Sequence, residues 1–162
     1  RFRTQALLDE NALLSCMAYV DLNPVRAGLA KVPELSDFTS IKQRIEALKS
    51  GEKARNIALL PFKDQVSNDT VTIPLEFQEY LELVDWSGRI LRKEQTGAIP
   101  DHLAPILERI NMHSSGWSKA MESFHKIFHY AAGKSSVLRE FGNKMGKAWV
   151  GGVNKSKPIF IE

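Results

Sequence analysis

Tyr19-Val20-Asp21-Leu22-Asn23-Pro24-Val25-Arg26-Ala27-Gly28 is the stretch around which the rest of the chain reads. Tyr19 and Asn23 are four residues apart, which on a helix puts both side chains on one face, one turn apart. A phenol beside an amide oxygen could be a nucleophile beside a metal ligand, and Arg26, one turn further, could hold a phosphate. Pro24 removes a backbone donor and biases Asn23 away from helical geometry, so the helix is expected to kink or end there. Gly28 is the expected terminator of its last turn.

Working outward, Asp9 is a good N-cap, with Glu10 in the first turn to suit the helix dipole. Leu13, Met17 and Val20 follow the helical period and are expected to face the core. Residues 1 to 8 partly alternate and read as a short strand, which would have no partner here and would need a sheet from further sequence. Downstream, Ser36 and Asp37 can cap a helix striped by Phe38, Ile41, Ile45 and Leu48, with Gly51 as its stop. Residues 51–72 read as a linker, with Pro61, a Ser-Asn-Asp turn and a Leu59, Leu60, Phe62 cluster. A domain boundary is expected there.

Past Pro74 the helical periodicity resumes. Phe77, Leu81, Val84 and Leu91 stripe a long helix ending near Gly97. Asp101 caps a short one with Leu103, Ile106 or Leu107, and Ile110 inward, and Pro105 sits in its first turn. Ser114 or Ser115 caps the next, with Trp117, Met121, Phe124, Phe128 and Ala131 on one face and Gly133 as its stop. Ser135 or Ser136 starts the last, with Leu138, Phe141, Met145 and Trp149. The fold class is therefore mainly α. Residues 1–50 would be one part, 73–150 a small helical bundle, and 151–162 a basic flexible tail. Such a bundle can contain a helix-turn-helix, though no helix stands out as the reader of a major groove.

The 162 residues suffice for one ordinary domain or two small ones. A hydrophobic share of 43% with 25% charged residues is that of a soluble globular protein. No apolar run approaches the roughly 20 residues that span a bilayer, and no secretory signal opens the chain. Cys16 is the one cysteine, so an internal disulfide and a Cys-based zinc site are excluded. A cytoplasmic protein without membrane partners is expected. The net charge of +3 is mild, but from Lys134 onward six basic residues face two acidic ones. Such a basic end can bind nucleic-acid phosphates. The sequence opens Arg-Phe-Arg, and the chain is expected to be either part of something longer or one from which a leading tag is removed.

Arg1-Phe-Arg-Thr-Gln-Ala-Leu-Leu-Asp-Glu followed by Met17-Ala-Tyr-Val-Asp-Leu-Asn-Pro-Val-Arg-Ala-Gly resembles the end of the catalytic domain of a bacterial transposase family. The family is the REP-associated tyrosine transposases, relatives of the single-tyrosine HUH transposases. The resemblance spans about residues 1 to 45, and its most specific part is the Tyr-x-x-x-Asn-Pro-Val-Arg-Ala core. It implies a C-terminal portion of an enzyme that cuts and rejoins single-stranded or hairpin DNA. In such enzymes a tyrosine attacks a phosphodiester, giving a 5′-phosphotyrosine link and a free 3′-hydroxyl. By match of motif Tyr19 is the nucleophile, and Asn23 a ligand of Mg²⁺ or another divalent cation, which accepts amide oxygens. Arg26, Lys144, Lys147, Lys155 and Lys157 are the expected DNA contacts.

The family also uses two histidines separated by one hydrophobic residue. His102, His113, His125 and His129 supply no such pair. Either upstream sequence supplies the pair or the chain is a degenerate remnant, and in both cases this chain alone should bind DNA without cleaving it and should hold no metal. His125 and His129 share the i, i+4 spacing of a zinc pair but lack an evident third ligand. The rival readings are a non-catalytic helical module that mediates homodimerisation or partner binding, and a helix-turn-helix regulator.

Overall fold

A computed structural model describes residues 4–51, 59–66, 71–92 and 99–162. The fold is mainly α, with eight helices and one two-stranded parallel sheet among the described residues. Contacts divide the chain into two units, residues 1–16 with 99–162, and residues 17–98. The stretch expected as one bundle, 73–150, is thus shared between both units. Element order in the sequence carries no signal for which helices pack together.

In the first unit, β1 (Ala6–Leu7) pairs in parallel with β2 (Ala131–Ala132), Ala6 opposite Ala131 and Leu7 opposite Ala132. The N-terminal strand therefore finds its partner within this chain, contrary to expectation. Helix α1 (Glu10–Asp21) starts where predicted. Asp9 Oδ1 accepts the Ala12 amide at 2.8 Å, while its Oδ2 accepts the Lys134 amide at 2.7 Å. One carboxylate thus caps α1 and ties it to the segment after β2.

Leu103, Ile106, Leu107 and Ile110 are all buried around α5 (Ala104–Arg109), with Pro105 at its start. Helix α6 (Ser114–Ile127) carries the expected stripe, and Trp117, Met121, Phe124 and Phe128 are buried. It ends one residue before Phe128, however, whose extended backbone leads into β2. Ser123 breaks the helical geometry inside α6, and its hydroxyl donates back to the Lys119 carbonyl at 3.2 Å. Helix α7 (Ser135–Lys144) buries Leu138, but it stops before Met145 and Trp149. Gly146 takes φ 64 just beyond, so the expected stripe cannot continue and both side chains are exposed.

Residues 151–162 are not a loose tail. They form α8 (Val153–Ser156) and a terminal segment whose Ile159 and Phe160 are buried. Phe160 pairs antiparallel with Met112, flanked by the His113 amide to the Ile159 carbonyl at 3.0 Å and the Ile161 amide to the Asn111 carbonyl at 2.9 Å. Phe160 also stacks on Phe128 at 6.0 Å between centroids.

Glu162 then reaches α7, accepting the Ser135 amide at 2.9 Å and the Ser136 amide at 3.4 Å. The Ser135 side chain above all, then the Ser135 amide and the side chain and amide of Ser136, hold its carboxyl down from 4.5 to about 2 against partial desolvation. A depressed carboxyl stabilises the fold fully above pH 4.5 and loses that contribution as pH falls toward 2. Solvent screens this exposed group, so roughly 0.5–1 kcal/mol is the scale expected for the cap. In urea titrations, Glu162→Gln should be less stable than the parent at pH 7 and converge with it near pH 2. An equal difference at both pH values would rule out the charged cap.

The second unit holds the end of α1, α2 (Asn23–Arg26), a 3-10 turn at Pro33–Leu35, α3 (Ser40–Ser50) and α4 (Phe77–Leu91). Along α1 the buried face runs through Asn11, Leu14, Ser15, Ala18 and Asp21, while Val20 is half exposed. The expected face at Leu13, Met17 and Val20 is one position off. Residues 12–20 are apolar on almost every side, so their periodicity could not select one face.

Helix α3 is capped by Thr39, whose hydroxyl accepts the Lys42 amide at 3.4 Å, and Gly51 ends it at φ 70. Phe38 precedes it at φ 61, fully exposed, instead of starting its core stripe, and Leu48 is exposed as well. Phe62, in the stretch read as linker, is a core residue of this unit. It packs 5.2 Å from Phe77 and 5.1 Å from Tyr80 between centroids and bridges to Ile73. The expected helix end near Gly97 falls outside the described residues.

Candidate functional site

Helix α1 stops at Asp21 and α2 begins at Asn23, with Leu22 alone between them. The cause is Pro24, which lacks the amide that would bond the Val20 carbonyl. The ladder otherwise persists, from the Leu22 amide to Ala18 at 3.0 Å and the Arg26 amide to Leu22 at 2.9 Å. Gly28 at φ 72 ends the turn as expected, and the Leu29 amide closes onto the Pro24 carbonyl at 2.8 Å.

This near-continuous turn brings Tyr19, Asn23 and Arg26 together. The Arg26 guanidinium lies 4.0 Å over the centre of the Tyr19 ring. Its Nη1 donates to Asn23 Oδ1 and its Nη2 to the Tyr19 carbonyl at 3.3 Å. Partial burial lowers the Arg26 pKa, opposed by Tyr19, yet a guanidinium keeps its charge at any ordinary pH. Asn23 is exposed, and Tyr19 and Arg26 are half-buried. The corner therefore presents a phenol, an amide and a fixed positive charge along two successive helical turns, a set suited to holding a phosphodiester beside a hydroxyl.

The same side chains do not by themselves fit a divalent cation. A hard cation takes six or more oxygens, whereas Asn23 offers one amide oxygen, and that oxygen is engaged by a guanidinium. No group of three metal-ligating side chains occurs among the described residues. His125 is on α6, but His129 lies past its end, so the helical i, i+4 geometry of a zinc pair does not form. Cys16 is half-buried, and burial raises its pKa, which lowers its reactivity.

Between Tyr19 and Asn23 stands Asp21, to which motif and spacing assign no role. It is buried and accepts the Tyr80 hydroxyl at 2.7 Å, the Ser40 hydroxyl at 3.0 Å and the Ile41 amide at 3.2 Å. It fixes the end of α1 to the start of α3 and to α4, and so sets where Tyr19 and Asn23 stand. An acidic residue inside an apolar helix was the signal available.

The four lysines expected to contact DNA separate into two groups. Lys147 and Lys155 line one open cavity, together with Arg139 and Trp149. Lys144 does not line it and pairs with Glu140 at 2.7 Å, and Lys157 is exposed outside it.

No protein-family model matches the chain, and neither a curated protein nor a solved structure matches it. No helix among the described residues is long and apolar enough to cross a membrane.

Proposed function

We propose that this chain is the C-terminal portion of a DNA transposase that cleaves and rejoins single-stranded or hairpin DNA through Tyr19. The clustering of Tyr19, Asn23 and Arg26 across two successive helical turns is the observation that carries the reading. In the reaction the Tyr19 oxygen attacks phosphorus and the bond to the 3′ oxygen breaks. The phosphate stays on the tyrosine as a 5′-phosphotyrosine, and the leaving oxygen takes a proton to become a 3′-hydroxyl. Arg26 holds a non-bridging phosphate oxygen and offsets charge that develops there. This chain binds DNA, and cleavage needs the histidine pair from sequence outside it.

The test uses a longer chain that includes that pair, with Mg²⁺ and hairpin DNA. Parent protein should give a covalent protein–DNA adduct on a denaturing gel, and Tyr19→Phe should give none. An adduct that survives the substitution would remove Tyr19 as the nucleophile.

One observation favours the non-catalytic interaction module. Phe38 is fully exposed at a positive φ, and Leu29 and Leu35 are exposed in the same unit. A concentration-dependent dimer by light scattering that Phe38→Ser abolishes would support that second reading.

A further inference from the structure

We propose that the cavity between the end of α7 and α8 binds single-stranded nucleic acid, taking one base on Trp149 and the flanking phosphates on Arg139, Lys147 and Lys155. This rests on the DNA-binding part of the proposed function and is independent of the tyrosine chemistry.

The cavity measures about 560 Å³ and is lined within residues 139–155. That is in the range of small-ligand sites, about 300–1,000 Å³. Its charge is one-sided: three cations and the amides of Asn143 and Asn154 line it, and no carboxylate does. Glu140, on α7, is paired with Lys144 outside it. The cations are only lightly engaged. Lys147 Nζ lies 4.9 Å over the ring of exposed Tyr130, and Lys155 Nζ donates to the Lys126 carbonyl at 3.3 Å.

Trp149 is 79% exposed, and its six-membered ring lies against Gly151, 3.5 Å from where a Cβ would stand. The loop that displays it is anchored next door. Val150 is buried, and its Cγ2 would be 2.6 Å from a Cβ at residue 142, so a side chain there would force Val150 to shift. An indole held against backbone with most of its surface open is a stacking platform, and stacking accepts any base because every base has a π-face. The two amides can then hydrogen-bond a base edge. Three cations alone would suit any polyanion; the open indole beside them selects a base.

The three tryptophans make the test selective, because Trp86 and Trp117 are buried and Trp149 is not. The chain is titrated with dT10 and with U10, reading tryptophan emission and, with labelled oligonucleotide, anisotropy. Both oligonucleotides should quench the exposed tryptophan, and Trp149→Phe should abolish that signal. Trp149→Ala should weaken binding about tenfold. Lys147→Gln should lower the salt dependence by about 0.7 in the log–log slope. If anisotropy reports binding but Trp149→Ala leaves it unchanged, this site is wrong while the DNA-binding reading stands. No binding at low salt would overturn both. Equal quenching by poly-glutamate would show a general polyanion site and would also overturn the proposal.

Discussion

Gly116→Ala should destabilise the unit built from residues 1–16 and 99–162 by about 3 kcal/mol, the upper part of the range for overpacking a core. Gly116 lies in the first turn of α6, where the terminal segment crosses it. A Cβ there would stand 2.4 Å from Ile159 Cα and 2.7 Å from the carbonyl oxygens of Ile159 and Pro158. These are backbone atoms, so no rotamer change relieves the overlap. The segment cannot retreat without loosening its bonds to His113 and Asn111 and withdrawing Ile159 and Phe160 from the core. The higher helix propensity of alanine offsets about 1 kcal/mol of this at most. Urea unfolding followed by circular dichroism measures the loss. Gly151→Ala is the control in the same unit, because its Cβ would meet only the Trp149 ring at ordinary contact distance. A Gly116→Ala protein within 1 kcal/mol of the parent would mean that the terminal segment does not pack as described.

The helices were legible wherever one face alone was apolar. Trp117, Met121, Phe124 and Phe128 recur at helical spacing among polar neighbours, and the structure buries all four. The face of α1 was not legible, because Ala12 to Val20 offer apolar side chains in every direction. The terminal segment reads as a tail because basic residues dominate its composition. What decides its packing is the short Ile159-Phe160-Ile161 run after Pro158, which pairs at Phe160 with Met112. The helical period reaches Trp149 only by running past Gly146, where a left-handed residue ends it. At the candidate site, spacing alone placed Tyr19 and Asn23 on one side of a turn. It could not show that Arg26 folds back over the phenol and onto the amide oxygen, because that contact depends on rotamers and on the break at Pro24.

Asp21→Ala should cost the second unit about 4 kcal/mol, because one buried carboxylate serves three donors at once. Tyr80, at 0% exposure, would keep its hydroxyl with the acceptor removed. Ser40 and the Ile41 amide, at the start of α3, would lose the negative charge that caps them. Arg44 is buried too, and its pKa is lowered by burial, with Tyr80 and Asp21 opposing. Removing Asp21 leaves that cation less compensated. Tyr80→Phe removes one donor and keeps the ring, so its cost should be nearer 1.5 kcal/mol. The double variant should then cost less than the two singles summed, since both singles remove the same Tyr80–Asp21 bond. Strict additivity would mean that the Asp21–Tyr80 bond contributes nothing. The same carboxylate holds the turn bearing Tyr19 and Asn23, so Asp21→Ala should also reduce adduct formation by the longer, histidine-containing chain. That loss should recede in a stabilising osmolyte, as a folding defect does, whereas the loss in Tyr19→Phe should persist there.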